Sequence, residues 1–539
     1  MTSHFHPFPA SLFRMRRAPA EVSCLQAKIF EVRRLTLVAM IAFLITLFLA
    51  GQARAQDPRV EEAVKKIDAV IAGGPYQASW DSLVKYEVPE WYRDAKFGIF
   101  IHWGVYSVPA FGSEWYPRNM YIMGSPVFKH HVEAYGPQSK FGYKDFIPMF
   151  RAEKFNPDQW AELFRKAGAK YVVPVAEHHD GFAMFDYDFT DWSAAQMGPN
   201  RDVVGELAKA VRKQGLHFGA SSHRAEHWWF YNGGMAFDSD VKDPRYASLY
   251  GPAQPDKTQP DKAFLDDWLV RASQIVDKYQ PQVVWFDWWI EQPVFQPYLQ
   301  KFAAYYYNRG AEWNLGVAIN YKNKSFPERA AVLDIERGKL DTIRPIFWQT
   351  DTSVSEKSWG YIQDDKFRTP ESLIDELVDI VSNNGCLLLN VGPKSDGTIP
   401  DEVQKVLLDM GAWLTTNGEA IYGTRPWKVS GEGPTKIVAG SFKDTAGTPF
   451  TGSDIRFTAK RDTLYAIALA WPEDGKLIVK SLASSSWLSQ KKIRKVQMLG
   501  YAGKLKWAQT TEGLSVDLPA TRPGNYAFAI KISPVDRAP

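Results

Sequence analysis

Five stretches of this sequence close an apolar run with a side chain able to do chemistry. His102 follows Phe97-Gly98-Ile99-Phe100-Ile101, and Glu177, His178, His179 and Asp180 follow Val172 to Ala176. His223 follows Ser221-Ser222, Asp287 closes Val283-Val284-Trp285-Phe286, and Glu336 closes Val332-Leu333-Asp334-Ile335. A carboxylate at the end of an apolar run and flanked by Trp285, Trp288 and Trp289 is costly to bury unless it is paired or at work. That makes Asp287 the leading candidate nucleophile. Glu336, 49 residues on, could serve as the second carboxyl of a pair about 5 Å apart, one attacking an anomeric carbon and the other acting as acid and then base. Bland roles stay open for both: Asp287 could cap the next helix, and Glu336 could simply pair with the adjacent Arg337.

The histidines also call for a metal test, because His178, His179, His223 and His227 could supply ligands and the last two stand four apart. Adjacent strand residues face opposite ways, so His178 and His179 converge only where the strand ends. No His-Glu-x-x-His pattern occurs, and neutral imidazoles are good donors and acceptors for hydroxyl groups. The reading is no metal and no cofactor.

The elements that would position these groups alternate. From about Trp91 to Tyr422, short apolar runs are followed by helical stretches, the pattern of strand-helix units on a parallel sheet. Seven strands are predicted: Phe97 to Trp103, Tyr171 to Ala176, His217 to Ser221, Val283 to Trp288, Leu315 to Asn320, Val332 to Glu336 and Leu387 to Val391. Asn156-Pro157 opens a helix running to Lys166. Phe264, Trp268, Ala272, Ile275 and Tyr279 repeat at helical spacing as core. The fold class is α/β, a (β/α)8-like TIM barrel over residues 56–427. The short alternating runs after Trp427, such as Thr463 to Ala470, Lys476 to Lys480 and Tyr526 to Ile532, predict a C-terminal antiparallel β-sandwich over residues 428–539. In a barrel the strand C-termini carry the catalytic groups, where all five stretches end. The Asp-, Pro- and Gly-rich stretch Phe237 to Lys262 reads as a loop insertion that shapes a substrate mouth.

With 539 residues, 45% of them hydrophobic, the chain can bury a large core and a second smaller one. A net charge of +3 from 64 basic and 61 acidic residues leaves no excess to hold a polyanion, which argues against nucleic acid. The 20 tryptophans and 24 tyrosines suit a large core and the faces of sugar rings alike. Arg33 and Arg34, the apolar run Leu35 to Ala50 and Ala53-Arg54-Ala55 read as a signal peptide over residues 1–55, cleaved after Ala55. A periplasmic or secreted protein without stable membrane association is expected, since 16 apolar residues are short for a bilayer span. Of the two cysteines, Cys24 would leave with the signal and Cys386 would remain unpaired. Homo-oligomerisation stays open.

The sequence resembles the α-L-fucosidases of glycoside hydrolase family 29. The resemblance is carried in order by Trp91-Tyr92 with Lys96-Phe97-Gly98, Ile101-His102-Trp103-Gly104, Glu114-Trp115-Tyr116 and Glu177-His178-His179-Asp180-Gly181-Phe182. It continues through Asn200-Arg201-Asp202, Trp285-Phe286-Asp287, Ser358-Trp359-Gly360-Tyr361 and Leu388-Leu389-Asn390-Val391-Gly392-Pro393. It implies an exo-acting, retaining, cofactor-free α-L-fucosidase of barrel-plus-sandwich build, acting on fucosylated oligosaccharides or glycoconjugates. Asp287 would be the nucleophile and Glu336 the acid/base, while His102, Glu114, Trp115, His178, His179 and Trp285 would line the fucose pocket. Three departures stand out: Trp348-Gln349 replaces a common Trp-Glu pair, Ser221-Ser222-His223 replaces a pocket tyrosine, and Lys322 stands where an arginine is usual. His223 and Lys322 therefore join the candidate binding residues. A barrel glycosidase for a related sugar and a fucose-binding protein without catalysis are the rival readings.

Overall fold

Runs such as Tyr171-Val-Val-Pro-Val-Ala-Glu177 are buried at every position, as strands covered on both faces must be. Eight strands, buried at every position except His217 and Leu333, close into one parallel barrel in the described residues, 57–536, of the computed structural model. In chain order they are β1 (Phe97–Ile101), β2 (Tyr171–Glu177), β3 (His217–Ser222), β4 (Val283–Phe286), β5 (Ala318–Tyr321), β6 (Val332–Asp334), β7 (Trp348–Ser353) and β8 (Gly385–Val391). Closure comes from β1 pairing with both β2 and β8, Gly98 standing opposite Tyr171 and Leu388. Gly98 is required by close approach, because a Cβ there would meet the Tyr171 ring at 2.4 Å.

Seven of these strands overlap the predicted ones, with ends trimmed: β4 stops at Phe286 and β6 at Asp334, which leaves Asp287 and Glu336 on the loops just beyond. The eighth, β7, is one the sequence does not announce. Its residues Trp-Gln-Thr-Asp-Thr-Ser are all buried although five of the six are polar. They are buried because they are bonded. Gln349 accepts from Tyr92 at 2.6 Å and Tyr171 at 2.7 Å, and the Thr350 hydroxyl donates to the Ile335 carbonyl at 2.7 Å.

The outer helices carry ordinary start signals. In α1 (Pro157–Lys166), Asn156 accepts from the Gln159 amide, as its Asn-Pro start predicts. Asp202 caps α2 (Val203–Lys213) and Asp261 caps α3 (Lys262–Tyr279), whose Phe264, Trp268, Ala272, Ile275 and Tyr279 are buried as expected. α4 (Gln296–Glu312), α5 (Pro370–Ser382) and α6 (Asp401–Asn417) complete the principal outer helices.

Beyond the barrel, β9 (Arg425–Glu432), β10 (Ile455–Lys460), β11 (Thr463–Ala468), β13 (Lys495–Met498) and β16 (Phe528–Ser533) form an antiparallel sheet in the order β13-β16-β11-β10-β9. A second sheet orders β12 (Lys476–Val479), β15 (Leu514–Asp517) and β14 (Lys506–Gln509). Between them lies a core that includes Trp427, Phe457, Leu464, Leu477 and Val516. The opposite face of β11 and β16, with Tyr465, Ile467 and Ala529, joins the barrel's own core. Trp413 of α6 donates to the Ala527 carbonyl at 2.7 Å, and Arg456 meets Asp379 of α5 at 2.5 Å. The expected join at residue 427 falls inside β9. The signal segment lies outside the described residues; among those described, no helix is long and apolar enough to cross a membrane.

Candidate active site

The ten residues predicted to be catalytic or substrate-binding all line one cavity of about 1300 Å³ at the C-terminal ends of the barrel strands, whereas Glu177 is turned into ion pairs with Arg224 and Arg271 and Asp180 accepts from Tyr143. At its floor the Asp287 carboxylate is held on both oxygens. Oδ1 accepts from the Trp288 amide at 2.8 Å and from Lys322 Nζ at 3.0 Å. Oδ2 faces His223 Nδ1 at 2.9 Å and His179 Nε2 at 3.5 Å. Burial alone would raise the Asp287 pKa, but the Lys322 ammonium and the His223 contact hold it well below the usual carboxylate range. Asp287 is thus kept ionised although it is only 7% exposed.

Lys322 reaches Glu336 Oε2 at 2.7 Å from the same ammonium. The two carboxylate oxygens sharing it can be no farther apart than these contacts laid end to end, about 5.7 Å. Arg337, the bland partner for Glu336, pairs with Asp444 at 3.0 Å instead. Lys322 also lies 4.7 Å over the Trp285 ring and 3.8 Å from Asp351. Burial disfavours its charge, and the surrounding carboxylates more than reverse this, so its pKa lies well above the ordinary lysine value.

The histidines divide into two kinds. His102 and His178 are driven well below the ordinary histidine value, chiefly by burial, and are neutral. The Asn390 carboxamide oxygen, 2.7 Å from His102 Nδ1, fixes that nitrogen as the protonated donor and leaves Nε2 an acceptor. His223 is likewise lowered, to about 4, by burial. His179 is different: burial opposes its charge, yet Glu226 at 3.3 Å and Asp287 push it up to about 9. Glu226 itself is raised by burial to about 7, and the pair holds its proton on the His179 side.

A His179 raised from about 6.5 to about 9 contributes stability that is complete below the lower value and lost as pH rises through the upper one. Glu226→Gln removes the counter-charge, so burial prevails and the imidazole loses its proton earlier. Wild-type melting temperature is expected to fall between those limits more steeply than that of Glu226→Gln, and the alkaline limb of activity to move to lower pH in the variant. Parallel melting curves and an unmoved limb would contradict the pairing.

Two donor sets among the described residues come close enough to hold an ion: His102, His178 and His223, and His179, His223 and Asp287. β2 ends at Glu177, so His178 and His179 both lie past the strand and converge, their rings 4.2 Å apart. Both sets depend on His223, whose Nδ1 faces Asp287 and whose Nε2 lies 3.0 Å from the Ser221 hydroxyl. The positive charge a cation would bring is already supplied by Lys322. These residues do not fit a resident ion. His227 lies apart from the cavity, its Nδ1 against the His179 carbonyl at 2.8 Å.

The remaining predicted residues form the walls. Glu114 accepts from the Ser358 hydroxyl at 3.1 Å and the Trp359 amide at 2.9 Å, and Trp115 packs against His179 with ring centres 5.0 Å apart. Trp285 donates its indole N–H to Asp334 at 3.0 Å. Gln349 is enclosed by tyrosines and Asp334 inside the barrel, away from the cavity lining. Two corrections concern what the sequence hid. Asp351, on the unannounced β7, lines the cavity with a pKa raised well above the carboxylate range by burial and by Asp334. The mouth is shaped not by Phe237 to Lys262 but by 323–324, 356–357 and 440–445. Among the residues absent from the reading, Glu226 carried a signal, four residues beyond Ser222 in a run with two histidines.

A parallel barrel whose C-terminal mouth holds a charge-bridged carboxyl pair among imidazoles and indoles has the parts a glycoside hydrolase uses. A family model for alpha-L-fucosidase matches residues 63–419, and one for the alpha-L-fucosidase C-terminal domain matches 449–533. The chain belongs to the alpha-L-fucosidase family. It is 34% identical to the tissue alpha-L-fucosidase of Homo sapiens over 510 residues, 92% of this chain and 97% of that protein. The rat (Rattus norvegicus) tissue alpha-L-fucosidase is 33% identical over 478 residues, 86% of this chain and 94% of that one. Among solved structures, the Thermotoga maritima alpha-fucosidase in complex with a mechanism-based inhibitor superposes with a TM-score of 0.69 at 32% identity, covering 85% of this chain and 99% of that one.

Proposed function

We propose that the protein is an exo-acting, retaining α-L-fucosidase that removes terminal α-L-fucosyl residues from glycans or glycoconjugates. The observation that carries the mechanism is the ammonium of Lys322 shared by Asp287 and Glu336. The two oxygens that share it stand at most about 5.7 Å apart, a bound that accommodates the carboxyl spacing of a retaining pair, about 5–5.5 Å. In the first step Asp287 attacks the anomeric carbon while Glu336, entering the step in its protonated form, gives that proton to the leaving oxygen. The C–O bond to the leaving group breaks as the Asp287 ester forms. Ester formation removes the Asp287 charge and proton donation leaves Glu336 ionised, 2.7 Å from the Lys322 ammonium. Glu336 takes a proton from water, whose oxygen displaces Asp287 and releases fucose with the starting anomeric configuration.

His102 and His178, held neutral, would accept and donate to sugar hydroxyls, and His179, held charged, would only donate. Trp115 and Trp285 would pack on the apolar face of the sugar. The test is an NMR time course of p-nitrophenyl α-L-fucoside hydrolysis. The expected first product is α-L-fucose, appearing before mutarotation. First release of the β anomer would overturn retention, and no hydrolysis beside turnover of a related glycoside would overturn the substrate.

A further inference from the structure

At the mouth of the cavity a short strap, residues 440–445, from the segment between β9 and β10 lies against the loop that carries Glu336. Its Phe442 amide donates to the Glu336 carbonyl at 2.9 Å, the Lys443 amide to the Arg337 carbonyl at 2.7 Å, and Gly440 and Lys339 exchange backbone bonds. Asp444 anchors the strap from the other side, meeting Arg337 at 3.0 Å and the Thr352 hydroxyl at 2.7 Å. Arg337 in turn lies 4.9 Å over the ring of Trp359, a cavity wall. The strap is therefore part of the rim and is tied to the residue proposed to protonate the leaving group.

Phe442 is unusual twice over. It is 63% exposed, one of the most exposed large apolar side chains described. Its backbone has φ +55°, a region costly for a bulky residue and tolerated where surrounding bonds impose it. The core holds no claim on this ring, and the strained backbone presents it at the cavity rim. A sugar bound to the outer side of the scissile oxygen has to leave past the Glu336 loop, so its apolar C–H face meets what stands there. We propose that Phe442 is the platform of a leaving-group subsite that stacks a pyranose ring of the glycan, making the strap a determinant of aglycone specificity. The inference rests on the fucosidase reading and adds the part of the substrate that the fucose pocket does not touch.

The experiment compares wild type, Phe442→Ala and Phe442→Trp on two substrates: α-L-fucosyl fluoride, whose leaving group is one atom, and whichever fucosyl-pyranose disaccharide wild type cleaves fastest. Phe442→Ala is expected to lose about tenfold in kcat/KM on the disaccharide, the scale of one ring-stacking contact, while retaining the fluoride activity. Phe442→Trp is expected to keep most of both, and melting temperatures verify folding. Equal loss on the two substrates, or loss on neither, overturns the subsite. If wild type hydrolyses neither, the fucosidase reading itself fails and the inference with it.

Discussion

Asp287→Gly is expected to lower hydrolysis of p-nitrophenyl α-L-fucoside on the order of 10⁴-fold, the scale of losing one member of a covalent-catalysis constellation. The expectation rests on where the charge stands. Asp287 has its two oxygens engaged by the Trp288 amide, Lys322, His223 and His179, and burial leaves it 7% exposed. Every one of these contacts favours the ionised form, so the group is built to be an anion pointing into the cavity. A glycine there opens space on the face from which the carboxylate would attack. Azide can enter that space and displace the leaving group directly, so the variant is expected to yield β-L-fucosyl azide, the inverted product. A variant with wild-type rates would dismiss Asp287 from the chemistry.

Lys322→Met is the second large effect, and it should appear in stability as well as rate. The ammonium is the common partner of Asp287, Glu336 and Asp351 at 3.0, 2.7 and 3.8 Å. Removing it leaves the buried Asp287 carboxylate without its cation, a loss that typically costs about 3–5 kcal/mol, and a marked fall in melting temperature should follow. With the cation gone, burial governs Asp287, its pKa rises, and the acid limb of the activity profile moves to higher pH. The rate at the optimum is expected to drop on the order of 10²-fold, the scale of losing one preorganised charge contact. Lys322→Arg keeps the charge and should restore most of the stability. An unshifted acid limb in Lys322→Met would mean that Lys322 does not hold Asp287 ionised.

How much of the fold and of the site is legible in the sequence depends on whether a side chain announces its environment. The apolar runs of β1, β2, β4 and β8 could hardly be anything but buried strands, and the polar residues ending the first three marked the site. β7 was silent because its burial is secured by hydrogen bonds and not by apolar side chains: Gln349, Thr350, Asp351, Thr352 and Ser353 read as loop. With β7 hidden, Asp351 was hidden too. The Glu226–His179 pair required knowing that the turn after β3 folds back beneath the loop after β2, a contact 47 residues apart in the chain. Phe442 could not be found from patterning, because the strap is joined to the Glu336 loop by backbone bonds that carry no sequence signature. The convergence of His178 and His179 depended on where β2 ends, a boundary finer than patterning resolves, and the metal question then turned on the engaged nitrogens of His223.

The most direct test of the central claim is to trap the enzyme with 2-deoxy-2-fluoro-α-L-fucosyl fluoride and map the labelled peptide by mass spectrometry. The fluorine slows both steps, and the good leaving group lets the first outrun the second. The account predicts one fluorofucosyl group per chain, on Asp287, with activity returning as the ester hydrolyses. A label on another residue, or turnover with no covalent species under any trapping condition, would contradict it.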